Sequence, residues 1–162
     1  MAQTVYNSSP DAAFPGMVAD NGLRDDRSFT NEGTAALKAG LMIVQGTDED
    51  DGILPSSTGQ DPIGVVLHFH NTDQDLASGE VVGKDSLGVV RKKGRVWVRV
   101  EEAIALGDAV YFRHTSGTGT EIGAFRNDAD TSTCDQVSNA RWSRPSATYN
   151  GVLLAELELN LP

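Results

Sequence analysis

The chain has one cysteine, Cys134, among 162 residues. A lone thiol closes no internal disulfide, so stability does not come from a disulfide framework. Long apolar runs are missing as well. No stretch approaches the ~20 residues that cross a bilayer as a helix, and no membrane partner is expected. The first residues, Met1 to Tyr6, carry neither the positive nor the apolar region of a secretory signal, so no signal peptide is expected. Basic charge is scarce: 13 Lys and Arg stand against 23 Asp and Glu, a formal net charge of −10. Nucleic-acid affinity rests on clustered cations, so no direct nucleic-acid partner is expected. Sustained helical periodicity is absent too. Ser28 to Lys38 and Glu101 to Leu106 each offer one turn at most.

What is present points to strands. There are 17 glycines, and only 39% of residues are hydrophobic. Short apolar stretches punctuated by Gly, Ser and Thr favour an all-β, turn-rich domain, and the length suits one such unit. The strongest pattern is Arg95 to Glu101, where Val96, Val98 and Val100 alternate with Trp97 and Arg99. Leu106-Gly107-Asp108 then supplies turn chemistry, and Ala109 to Phe112 alternates again. Further strands are read at Ser28–Asn31, Leu41–Val44, Asp61–His70, Glu80–Gly83, Leu87–Val90, Ile122–Phe125, Gln136–Trp142 and Gly151–Leu159. Gly64 inside its strand signals a bulge or a close backbone approach. Arg91-Lys92-Lys93-Gly94-Arg95 reads as a hairpin turn with solvated charges, and Ser143 to Asn150 as a connection. Two stretches resemble each other, Leu37–Val44 leading to Ile63–Val66 and Ala105–Phe112 leading to Asn150–Leu153. They read as two halves of one barrel.

Residues 1–35 read as an extended N-terminal arm and 36–162 as the β-barrel or sandwich body. Pro10, Pro15 and Asn21-Gly22 oppose regular structure in the arm. Its apolar residues, Phe14, Met17, Leu23 and Phe29, need a place to dock. The chain's own barrel and a neighbouring subunit are both open.

Chemistry finds little support. His68 and His70 share a strand face, but a zinc site needs a third ligand, and His114 is the remaining histidine. Asp48-Glu49-Asp50-Asp51 fails the calcium-loop pattern, because the sixth and twelfth positions are Ile53 and Gly59. It reads as a solvated acidic loop. Gly117-Thr118-Gly119-Thr120 lacks the Lys of a phosphate loop, no nucleophile elbow occurs, and Cys134 has no histidine nearby in sequence. No catalytic, cofactor or metal residue is assigned, and no cofactor is expected.

Phe14-Pro15-Gly16-Met17-Val18-Ala19-Asp20, Arg27-Ser28-Phe29-Thr30-Asn31-Glu32, Pro62-Ile63-Gly64-Val65, Gly94-Arg95-Val96-Trp97-Val98, Gly107 to Phe112 and Gly151-Val152 are similar together to bacteriophage structural cement proteins, the capsid decoration or head-stabilising family. The resemblance runs over nearly the whole chain. It implies a β-barrel or sandwich with an N-terminal arm, no catalysis, and a place on the outer capsid surface of a virion after synthesis in the host cytoplasm. The implied partners are the major capsid protein, whose capsomers it would bridge, and further copies of itself, a homotrimer in preference to a dimer. The contact candidates are Phe14, Met17, Val18, Leu23, Arg24, Arg27 and Phe29. A second reading is a virion-associated β-barrel module for a ligand or carbohydrate, with Trp97, Trp142, Tyr111 and Tyr149 as an exposed aromatic platform.

Overall fold

A computed structural model describes residues 13–69 and 80–162. Twelve strands and no helix occur among the described residues: β1 (Asp25–Asn31), β2 (Leu37–Lys38), β3 (Met42–Gln45), β4 (Asp51–Ile53), β5 (Pro62–Val66), β6 (Glu80–Val82), β7 (Leu87–Arg99), β8 (Tyr111–Arg113), β9 (Phe125–Arg126), β10 (Cys134–Gln136), β11 (Ala140–Tyr149) and β12 (Val152–Asn160). β1, β4, β3, β5 and β7 close into a five-stranded barrel, because β1 pairs with both β4 and β7. β12 and β11 extend that sheet beyond β7, β10-β8-β9 form a small second sheet, and β2 pairs with β6. The all-β expectation holds.

β7 organises the barrel. Val90, Val96, Trp97 and Val98 are all buried, so both faces of the strand are covered. The two short strands expected on either side of Arg91–Arg95 are one strand of 13 residues, and no hairpin turn separates them. The physical reason is Arg91, which is 0% exposed. Its Nε and Nη2 donate to the carboxylate of Asp26 at 2.7 and 2.9 Å, and its Nη1 donates to the Arg95 carbonyl at 2.9 Å. A buried guanidinium is tolerated when its charge and donors are met. A local run of cations cannot reveal a partner 65 positions earlier.

The two similar stretches do not form halves of one barrel. β3 and β5 of the first are adjacent barrel strands, whereas β8 of the second lies in the small sheet and β12 pairs with β7 and β11. Gly64 does mark a close approach: a Cβ there would stand 2.6 Å from the Arg91 carbonyl oxygen. The segment expected as a connection, 143–150, is mostly strand. β11 runs to Tyr149 and turns into β12 through Asn150-Gly151, both at positive φ (49° and 78°). Paired left-handed residues suit the twist of a two-residue hairpin. Asn150→Ala is expected to cost about 1 kcal/mol, the steric penalty of the left-handed region for a residue with a Cβ and no polar side chain, and Asn150→Gly to cost less. Urea unfolding of both variants measures this.

Candidate functional site

The segment expected as an arm divides in the structure. Residues 25–31 are β1, a barrel strand. Residues 13–19 lie along β7. Val18 is bridged to Val96 in antiparallel sense, and Leu157 of β12 pairs with the same residue from the opposite edge. The Gly16 N–H donates to the Trp97 carbonyl at 2.8 Å, the Trp97 N–H to the Met17 carbonyl at 2.9 Å, and the Ala19 N–H to the Arg95 carbonyl at 3.1 Å. Ala13 is buried with Trp97 and Leu154, and Met17, Ala19, Tyr149 and Val152 pack around them. Of the two docking places left open by the sequence, these residues occupy the chain's own barrel.

Gly16 is what lets the segment sit so low. Its φ is +73°, and a Cβ would stand 2.6 Å from the His68 nitrogen and 2.8 Å from both the Val66 oxygen and the Ala39 Cβ. The His68 N–H donates to the Gly16 carbonyl at 3.0 Å. No larger residue can make that approach without moving backbone.

Between this segment and β1 the chain makes a short excursion, residues 20–24. It passes over Gly94 of β7 (φ +106°), where a Cβ would lie 3.1 Å from the Leu23 carbonyl. The Asp20 carboxylate accepts the Gly22 N–H at 3.0 Å and sits 3.5 Å from the Arg95 Nε. The turn is therefore pinned, and it presents Leu23 at 94% exposure.

The contact candidates separate accordingly. Phe14 is 43% exposed, with its ring edge-on to His68 at 5.0 Å. Leu23 and Arg24 are exposed. Arg27 donates to the Glu49 carbonyl and the Asp50 carboxylate, so it is engaged within the chain. Met17 and Val18 are half-buried against their own barrel. Phe29 is 1% exposed and is a core residue: its ring lies where Cβ atoms of Gly52 and Gly88 on the flanking strands would be. It offers nothing to a contact surface.

Of the four aromatic residues read as a platform, Tyr111 and Tyr149 are half-buried. Trp97 and Trp142 are both buried. Trp97 packs edge-on to Tyr149 at 5.5 Å, and the Trp142 Nε1 donates to the Ala109 carbonyl at 3.2 Å. Of the three histidines, His70 lies outside the described residues. His114 is buried, with Nδ1 2.9 Å from the Thr115 hydroxyl and Nε2 3.7 Å from Asp135. Among the described residues no three metal-ligating groups gather. Cys134 is buried in β10, and burial pushes its thiol up, away from the thiolate that nucleophilic chemistry needs.

One charged cluster has no counterpart in the sequence reading. Arg113 on β8 is 1% exposed and donates to Glu101 at 2.8–2.9 Å and to Asp130. Arg126 reaches Glu101, Glu102 and Asp128. Burial opposes the charge on Glu101, but the Arg113 guanidinium, the Glu121 N–H and Arg126 outweigh it and hold its carboxyl below the usual range. The Arg113 hydrogen bond likewise lowers Asp130. Every cation in the cluster faces a carboxylate. The cluster ties the small sheet to the end of β7 and is structural in its chemistry.

The family model described as "Structural cement protein (E217 gp24/Pam3 gp6)" matches residues 1–160. The chain belongs to the structural cement protein family. A chain of the structure "The capsid of Myoviridae Phage XM1" superposes with a TM-score of 0.71 at 16% identity, covering 99% of this chain and 97% of that one. At that identity the likeness establishes the shared fold. No curated protein matches the chain. Membership in the structural cement family carries a capsid-stabilising role and a capsid location in the virion.

Proposed function

We propose that this chain binds the outer surface of a major capsid protein shell and stabilises the head by bridging neighbouring capsomers. The observation that carries the reading is the family match across residues 1–160. The pinned 13–24 segment supports it, because backbone hydrogen bonds to the barrel and the Asp20 turn hold Phe14 and Leu23 at the surface. Each contact is small, and many symmetric copies on a shell add avidity without strong single contacts. The chain acts as a homo-oligomer, a trimer in preference to a dimer. It performs no catalysis and needs no cofactor, and its net charge of −10 disfavours the packaged nucleic acid as a partner.

Purified full-length protein mixed with undecorated shells is expected to co-sediment in a fixed ratio and to raise the temperature at which the shells disrupt. Phe14→Asp, which leaves the barrel interior untouched, is expected to reduce co-sedimentation. Wild-type protein that stays in the supernatant at every ratio would sink the reading.

A further inference from the structure

The chain has two Asn-Gly pairs, Asn21-Gly22 in the excursion over β7 and Asn150-Gly151 in the β11–β12 hairpin. Asparagine followed by glycine carries chemistry of its own. The glycine nitrogen can attack the asparagine Cγ, because no side chain crowds it. The N–Cγ bond forms, the Cγ–Nδ2 bond breaks, and the nitrogen's proton leaves with Nδ2 as ammonia. Water then opens the five-membered imide at either carbonyl and gives aspartate or isoaspartate. No oxidant and no enzyme is needed.

The fold treats the two pairs differently. At Asn150 the backbone is left-handed, with φ +49° there and +78° at Gly151. A two-residue turn of that hand sets ψ at roughly +30°. The Gly151 nitrogen then lies on the far side of the Cα–C bond from Cβ, so Cγ cannot reach it while the turn holds. The β11–β12 register runs up to Tyr149 and Val152, so the strands themselves hold that turn. Asn21 has no such protection. Residues 20–24 are all exposed and lie in no strand, and Asn21 is not left-handed. Among the described residues outside the immediate chain neighbours, only Asp20 comes within 4 Å of where a Cβ on Gly22 would stand. What restrains the pair is one hydrogen bond. The Gly22 N–H donates to the Asp20 carboxylate at 3.0 Å, which keeps the proton on the attacking nitrogen and the nitrogen in place.

We propose that Asn21 is a site of spontaneous deamidation, that the Asp20 hydrogen bond guards it, and that conversion locks the turn open. Isoaspartate carries the chain through Cβ and Cγ, one backbone atom longer between Asp20 and Gly22. The two-residue reach of the Asp20 side chain to the Gly22 N–H is lost, and a new carboxylate stands next to that of Asp20. Residues 20–24 then cannot settle back over Gly94. The consequence falls on the segment that holds Phe14 and Leu23 at the surface, but the chemistry does not depend on the capsid reading.

Full-length protein incubated in mildly alkaline buffer tests this by peptide mass mapping, each conversion adding ~1 Da. Asn21 is expected to convert well before Asn150. In urea the two are expected to convert at similar rates, since neither is then held by the fold. Asp20→Ala is expected to speed conversion of Asn21 roughly 10-fold, the weight of one hydrogen bond to a charged group. Asp20→Ser, which keeps a weaker acceptor, is expected to fall between. The isoaspartyl fraction is expected to be cut by trypsin after Arg24 faster than the unconverted fraction. Asn150 converting first, a native rate ratio equal to the one in urea, or Asp20→Ala leaving Asn21 unchanged or slower overturns the guarded site. Equal cutting after Arg24 in the two fractions overturns the lock. Co-sedimentation of fresh protein with shells reads the capsid proposal separately, and neither result decides the other.

Discussion

Replacing Glu101 by Ala is expected to destabilise the fold by about 3–5 kcal/mol, the cost of stripping the partner from a buried charge. Glu101 follows the end of β7, and its carboxylate accepts from the Arg113 Nε and Nη2, from the Glu121 N–H at 3.0 Å and from Arg126 at 3.3 Å. Arg113 is 1% exposed and cannot turn to water when that partner goes. Asp130 remains, but its side chain is 39% exposed and its loop is held in place by Arg113 itself. Asp130, Thr131 and Ser132 all have positive φ, 39°, 57° and 69°. Each left-handed residue costs ~1–2 kcal/mol, so the loop keeps that shape only while its anchor is in place. At ~2–4 °C per kcal/mol for a chain of this size, the melting temperature is expected to fall by about 6–20 °C. Replacing the pair together, Glu101→Leu with Arg113→Met, is expected to cost less than the sum of the two single changes, because neither partner is left as a buried charge facing the other's vacancy. A single variant within 2 °C of wild type would mean that water reaches Arg113.

The same cluster contributes to the response to acid. The carboxyls of Glu101 and Asp130 are lower in the folded chain than in the unfolded one. The unfolded chain therefore binds more protons, and stability rises with pH. The contribution is present in full above the ordinary Glu value of 4.5 and is lost as pH falls through the lower folded values. Urea midpoints between pH 3 and 7 are expected to fall steeply below about pH 4.5 in wild type and less steeply in Glu101→Ala.

Strand-period alternation made most of the barrel legible. Arg95 to Val100 says strand by alternation and Leu41 to Val44 by its short, punctuated apolar run, and both lie largely in strands. What stayed hidden depended on distant partners. Arg91 reads as solvent-facing until Asp26 is beside it, and Phe29 reads as an anchor seeking a surface until Gly52 and Gly88 open a slot for its ring. Trp97 and Trp142 look like a platform until residues 13–19 cover the first and the Ala109 carbonyl takes the second's N–H. The Asn150-Gly151 hairpin is the exception. Its dipeptide is a strong local signal, yet Ser143 to Asn150 reads as a connection although most of it is β11. Pro145 sits in β11, which pairs on one side with β12 alone, where a missing N–H is tolerated. For the site, the residues of the Pro15–Asp20 stretch were visible, but their meaning came from Gly16, whose fit depends on His68, Ala39 and Val66.

Gly16→Val is therefore the change expected to separate the 13–24 segment from the barrel. A β-branched side chain at φ +73° meets backbone at 2.6 and 2.8 Å, so the segment or the barrel must give. The combined strain is about 2–5 kcal/mol, overpacking plus the left-handed penalty. The segment is held by a handful of backbone hydrogen bonds and by Ala13, Met17 and Ala19 against Trp97, whereas the barrel beneath it is closed on itself. The segment has fewer ties and yields first, which caps the loss of global stability at its own docking energy. Trp97, 4% exposed when covered, then meets water. In a Trp142→Phe background its emission is expected to shift to the red before any cooperative unfolding, and trypsin is expected to cut after Arg24 far faster than in wild type. Unchanged Trp97 emission together with a lowered melting temperature would show instead that the barrel had given way around a segment that stayed in place. Release of the segment also moves Phe14 away from His68, so co-sedimentation with shells is expected to fall while the barrel's far-ultraviolet circular dichroism is kept. Loss of shell binding with an intact barrel assigns the contact to this segment, and retained binding assigns it to the strands beneath.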